Sequence, residues 1–166
     1  MGEKAKDDRG RIEMSAIEQM KFARGYTLGQ LEKLDGADWD ARPDGFNNNV
    51  RWNAGHIFVS QEGFTKAIVP DYEIRKPEWN ALFGMGTKPA DWTGDVPSNE
   101  ELMDALKEQT GRIAEALEGK LDRPLAKPMT IGGRQLTTGD DLVQLTAWHE
   151  GMHSGILNAF AHILRK

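Results

Sequence analysis

The stretch Trp148-His149-Glu150-Gly151-Met152-His153 sets two histidines four residues apart, with a glutamate directly after the first. An α-helix turns about 100° per residue, so His149 and His153 fall one turn apart on nearly the same side, close enough to chelate one ion through their imidazoles. The letters also spell the H-E-x-x-H of zinc proteases, in which the glutamate is general base and a third ligand follows downstream. Only 13 residues follow His153, and Ile156 and Ala159 stand where the extended protease motif needs glycine and histidine. The protease reading fails on that missing ligand.

With no cysteine in the 166 residues, thiolate zinc sites, disulfides and cysteine nucleophiles are excluded, and a transition-metal site must draw on His, Asp or Glu. Four histidines are present. The 21 basic and 26 acidic residues give a formal charge of -5, and no Lys/Arg stripe suited to phosphates is visible, which argues against nucleic acid as a partner. The first segment, "MGEKAKDDRGRIEM", is mixed in charge with no apolar core, and nowhere do about 18 apolar residues run together. A cytoplasmic protein with no membrane partner is expected, with residues 1–13 as a flexible charged tail and 14–166 as one domain.

The elements that must position the histidines follow from periodicity. Ile17, Met20, Arg24, Thr27/Leu28, Leu31 and Leu34 repeat near 3.6, predicting a first helix over about 14–35 that ends at Asp35-Gly36. A Pro/Gly/Asn-rich connection leads to Asn49, a capping residue, and a second helix with Trp52, His56, Val59, Gly63 and Ala67 on one face, stopped by Pro70. Residues 70–97 form a long connection with Trp79, Trp92 and one short helix at "PEWNALFG", read as a packed cover. Ser98 and Glu101 have the form of a capping box for a third helix over about 98–119. "PMTIGGRQLTT" reads as a small hairpin about Gly132-Gly133, and Thr138 with Asp141 caps a fourth helix over about 139–165. Its predicted inward stripe is Leu142, Leu145, His149, Met152/His153, Ile156, Phe160 and Ile163/Leu164. The fold class is all-α: a four-helix bundle with a long connection between helices two and three.

On this frame His149 and His153 face the interior, and His56, on the inward face of helix two, can meet them across the bundle. Three histidines leave at least one coordination position for water or substrate, which suits catalysis better than structural support. The alternative is three core histidines satisfied by one another and by buried water. His162 lies nine residues past His153, about half a turn round the helix, and belongs to the outer face. Glu150 points either beside the site or into solvent, and Asn53, one turn before His56, is placed to orient an imidazole or a substrate. Trp52, Trp79, Trp92 and Trp148 either line a pocket or fill a core, with core filling favoured for Trp52 and pocket or cover for Trp79 and Trp92.

"RWNAGHIF" at 51–58 and "TAWHEGMHSGIL" at 146–157, with the "IGGRQL" turn between them, resemble the DinB/YfiT-like superfamily of metalloenzymes. The resemblance spans roughly residues 14–165. It implies a four-helix bundle, the metal ligands His56, His149 and His153, and a divalent ion such as zinc, nickel or iron. Ser154, Gly155 and Ile156 follow the last histidine where the family often continues with H-x-G-Q, so the glutamine is missing. The resemblance further implies small-molecule chemistry, with transfer of a low-molecular-weight thiol slightly ahead of hydrolysis. A non-catalytic metal- or ligand-binding protein linked to stress and a dimeric helical scaffold without metal are the other readings. A homodimer is expected; metal identity, substrate and interface are not specified by the sequence.

Overall fold

The computed structural model describes residues 14–34 and 36–165. The tail expected at 1–13 lies outside these residues, as does Asp35, on which the predicted end of the first helix partly rests. Five α-helices and one two-stranded sheet are present among the described residues.

Helix α1, Ala16–Leu31, starts at a full capping box between Ser15 and Glu18, which satisfies two of the orphan N–H groups of a helix start. It closes earlier than the apolar stripe predicts. The chain then tightens, with the Leu34 N–H donating to the Leu31 carbonyl at 3.2 Å, so Leu34 stays buried beyond the helix end. Gly36 opens a 3-10 turn, Gly36–Trp39, instead of terminating the helix.

Helix α2, Val50–Ile68, is capped by Asn49, whose side chain accepts from the Trp52 N–H at 2.8 Å. Residues 50–59 are all buried, not one face only. The reason is the connection after Pro70, which lies over the side of α2 that the other long helices leave bare. That connection carries the short helix α3, Asn80–Phe83, entered through a 3-10 turn at Pro77–Trp79. Trp79 is buried against Phe58, so it fills the core and does not act as the cover expected of it.

Helix α4, Asn99–Leu117, buries Leu102, Leu106, Gln109, Ile113 and Leu117. Its capping box is half formed: Ser98 accepts from the Glu101 N–H, while the Glu101 carboxylate pairs with Lys76 at 3.3 Å. Strands β1, Pro124–Ile131, and β2, Arg134–Thr138, form the antiparallel hairpin, with Ile131 opposite Arg134 and Met129 opposite Leu136. Its two-residue turn needs positive φ at both positions, and Gly132 at 57° and Gly133 at 77° supply it. Thr138 ends β2 and, with Asp141, makes the full capping box of α5, Gly139–Leu164.

The four long helices meet as α1 on α5, α2 on α5, α2 on α4 and α1 on α4. Two apolar clusters lie at opposite ends. One gathers Trp52, Phe58, Phe83, Leu106, Leu157 and Phe160, and the other Met20, Ile68, Ile113, Leu117, Leu142 and Val143. Between them runs a buried polar layer drawn from all four long helices: Arg24 and Thr27, His56 and Glu62, Gln109, Glu150 and His153. Burying such groups is favourable only if each finds a partner, so the pairings in this layer decide what it is for.

Candidate metal centre

Helix α5 contacts α1 on one side and α2 on the other, and its two polar pairs divide between them. Toward α1, Glu150 accepts from Arg24 through both oxygens, at 2.7 and 3.2 Å, and the Ser154 and Thr27 hydroxyls lie 2.6 Å apart. Arg24 also donates to the Leu106 carbonyl of α4 at 2.7 Å, tying three helices together. Glu150 is 2 % exposed and Arg24 3 %. Glu150 therefore points neither beside the site nor into solvent; its carboxylate is committed to an ion pair whose rupture would strand a buried charge. The inward stripe of α5 is rotated relative to the expected one, leaving Met152 and Ile163 exposed.

Toward α2, His149 and His153 meet His56. Ring centroids are 5.2 Å apart for His56 and His149, 4.9 Å for His56 and His153, and 4.6 Å for His149 and His153. One nitrogen from each ring can be chosen so that all three lie within 4.8 Å of one another. Two metal–nitrogen bonds of about 2.0–2.1 Å span at most about 4.2 Å, so small ring rotations bring the set onto one ion. His162 is exposed at the far end of α5 and takes no part.

Hydrogen bonds select which nitrogen each ring presents. The His56 Nδ1–H donates to the Phe83 carbonyl at 2.7 Å, which leaves Nε2 with its lone pair, 3.3 Å from the Ser60 hydroxyl. The His153 Nδ1–H donates to Asn53 Oδ1 at 2.8 Å. Asn53 is itself fixed, because its amide nitrogen donates to the Asn49 carbonyl at 2.8 Å and so turns the oxygen toward His153. Partners of this kind orient metal-binding histidines and raise their basicity. Trp52 stacks on His56 with centroids 4.5 Å apart and planes 10° from parallel, and its indole N–H donates to Thr87.

Gly55, just before His56, has a packing reason. A Cβ there would sit 2.3 Å from the Phe83 ring, so only glycine lets α3 come near enough for the Phe83 carbonyl to reach His56. The sequence marks the glycine, but the carbonyl it admits lies 27 residues away and carries no side-chain signal. Asn53 was legible as an orienting residue; the Phe83 carbonyl was not.

Burial pulls all three imidazoles below the ordinary histidine range. His56 is lowered by desolvation against an opposing pull from the Phe83 carbonyl. His149 falls to about 4 through burial and the neighbouring His56, and His153 to about 3 through burial, His149 and His56. All three are thus neutral at pH 7, the protonation state a metal requires.

A cavity of about 640 Å³ opens on His56 and His149. Helix α2 contributes Val59 and Phe64, α5 contributes Leu145 and Trp148, and β1 closes it with Met129 and Ile131. Trp148, 62 % exposed, is its aromatic wall, in place of Trp79 or Trp92. Trp92 instead donates to the Leu82 carbonyl at 2.9 Å and braces α3.

These features define a predominantly helical protein with a buried histidine group able to hold a metal ion, set beside an apolar cavity. A family model described as the DinB superfamily matches residues 19–157, and the chain belongs to that superfamily. No curated protein matches the chain. Among the described residues, no helix is long and apolar enough to cross a membrane.

Proposed function

We propose that this chain is a metal-dependent enzyme built as one four-helix-bundle domain over residues 14–166, with His56, His149 and His153 as ligands of one divalent ion: zinc, nickel or iron. The observation that carries the reading is the meeting of three neutral imidazoles, two with Nδ1 already committed, at the end of a cavity sized for a small molecule. A divalent ion there supplies a Lewis acid that favours the deprotonated form of water or of a small thiol.

The chain's own residues do the rest. Asn53 and Phe83 hold two imidazoles in register, Trp52 keeps the His56 ring in place, and the apolar walls keep bulk water from the reacting atoms. Glu150 is withdrawn from proton transfer by its ion pair with Arg24, and the cavity lining carries no carboxylate to serve as general base. We favour transfer of a low-molecular-weight thiol to an electrophile over hydrolysis, on the superfamily resemblance. The exposed Phe22 and Tyr26 of α1 and Met152 and Ile163 of α5 support a homodimer.

Metal analysis of protein purified without a histidine tag tests the reading. We expect about one equivalent of divalent ion per chain, lost in His56→Ala, His149→Ala and His153→Ala. Less than about a tenth of an equivalent, unchanged by His56→Ala, would sink it. Turnover on a panel of thiol–electrophile pairs, esters and amides, abolished by chelation and restored by the ion, separates an enzyme from a binding protein.

A further inference from the structure

We propose that the cavity beside the histidines takes an uncharged, mainly apolar small molecule carrying a single donor atom toward the metal centre, and that Trp148 is a specificity-determining wall of that site. This rests on the reading above for the donor atom only; the cavity's own chemistry is independent of any ion.

Charge is kept out of the cavity. Its lining includes no Asp, Glu, Lys or Arg, and its polar side chains are Ser60, Asn80 and the imidazoles of His56 and His149. An ionised carboxylate, phosphate or ammonium on the body of a ligand would lose its water here and gain no counter-charge, a heavy penalty. Sugars and nucleotides fit no better, since their many donors and acceptors would go unpaired. A flat apolar body suits the Phe64 and Trp148 rings and the flexible Met129.

The neighbouring groove sharpens the contrast. Ile131, Leu145 and Trp148 form a wall shared with a second cavity of about 470 Å³, and on that far side stand Arg134, Asp141 and Gln144. Polar and charged groups therefore lie on one side of the wall and the histidines on the other. Within the first cavity the polar side chains are Ser60, His56 and His149 at the donor end and Asn80 on α3, so a ligand's remaining atoms meet mainly apolar walls.

Fluorescence titration of metal-free protein with N-phenyl-1-naphthylamine and with its sulfonated analogue 1-anilinonaphthalene-8-sulfonate tests the charge rule on one molecular body. We expect the uncharged probe to bind at least about tenfold more tightly than the sulfonate. Trp148→Ala, at an exposed position that the fold does not need, should weaken the uncharged probe by roughly tenfold or more, and Leu145→Asp should abolish its binding. Equal affinity for the two probes, or indifference to Trp148→Ala, overturns the proposal whether or not metal binds. The donor-atom part is read on cobalt-loaded protein from the visible bands. 4-Phenylimidazole should perturb them at concentrations at least about tenfold below imidazole, a difference lost in Trp148→Ala; equal potency of the two ligands overturns it. Failure of cobalt to bind at all refutes the metal reading and the donor-atom part, and leaves the probe result to decide the rest.

Discussion

Helix α2 carries two buried polar clusters less than two turns apart, and they are built on opposite principles. Around Glu62, donors and acceptors match. Its Oε1 accepts from Gln109 at 2.7 Å and Arg112 at 2.9 Å, and its Oε2 from the Tyr72 hydroxyl and the Arg75 N–H, each at 2.8 Å. Arg112 also donates to the Tyr72 oxygen, and burial with the adjacent carboxylate holds the Tyr72 phenol protonated far above its usual range. Only Gln109 Oε1 lacks a donor there. Around His56, by contrast, the Nδ1 atoms of His56 and His153 are paired outward, and one nitrogen from each of the three rings lies within 4.8 Å of the others, with no acidic residue in the group. The Glu62 cluster fastens the connection after Pro70 onto α2 and α4, whereas the histidine cluster is a group that could hold a metal ion.

The largest effect that separates them is on stability. Glu62→Ala removes one acceptor from four donors and leaves Arg112 with Glu108 alone, and should cost about 2–4 kcal/mol in urea unfolding while any metal bound per folded chain stays unchanged. If metal content per folded chain fell instead, the two clusters would not be independent. Asn53→Ala acts in the opposite sense. It should weaken metal affinity by roughly 10–100-fold in competition with a chelator, with a smaller change in unfolding midpoint. An unchanged affinity would break the claim that Asn53 sets the His153 tautomer.

A pH slope separates the two clusters as well. The folded chain keeps its three imidazoles neutral where the unfolded chain, with histidines near 6.5, takes up protons. The stability of metal-free protein should therefore be flat above about pH 7 and decline as the pH falls from about 6.5 toward 4 for His149 and 3 for His153. Urea midpoints across that window should show the decline, and His149→Gln with His153→Gln should flatten it. A slope of the same size in the doubly substituted protein would assign it to the carboxylates.

The positions of the long helices, the glycine turn of the hairpin and the three histidines could be read from the sequence, because each rests on local signals: period, caps and breakers. The rotation of α5 could not. A helix packed on two sides buries a wide face, and when Glu150 and Ser154 occupy part of it their polarity disguises them as surface, while Met152 poses as core. Arg24 stood on the predicted stripe of α1, but nothing local named its partner 126 residues on. The burial of Trp79 depends on how the connection folds back over α2, which is set by Glu62 and Tyr72 and not by the residues around Trp79. In each miss a long-range pairing outweighed the local pattern.

The bond from the His56 Nδ1–H to the Phe83 carbonyl also works in reverse. An ion on the other nitrogen withdraws electron density from the ring and makes that N–H a stronger donor. The carbonyl that would feel it belongs to Phe83, two residues before Met85, which stands 95 % exposed. By thermodynamic reciprocity, whatever loosened the Phe83 carbonyl would then weaken an ion's binding by the same factor, and a bound ion would steady that carbonyl.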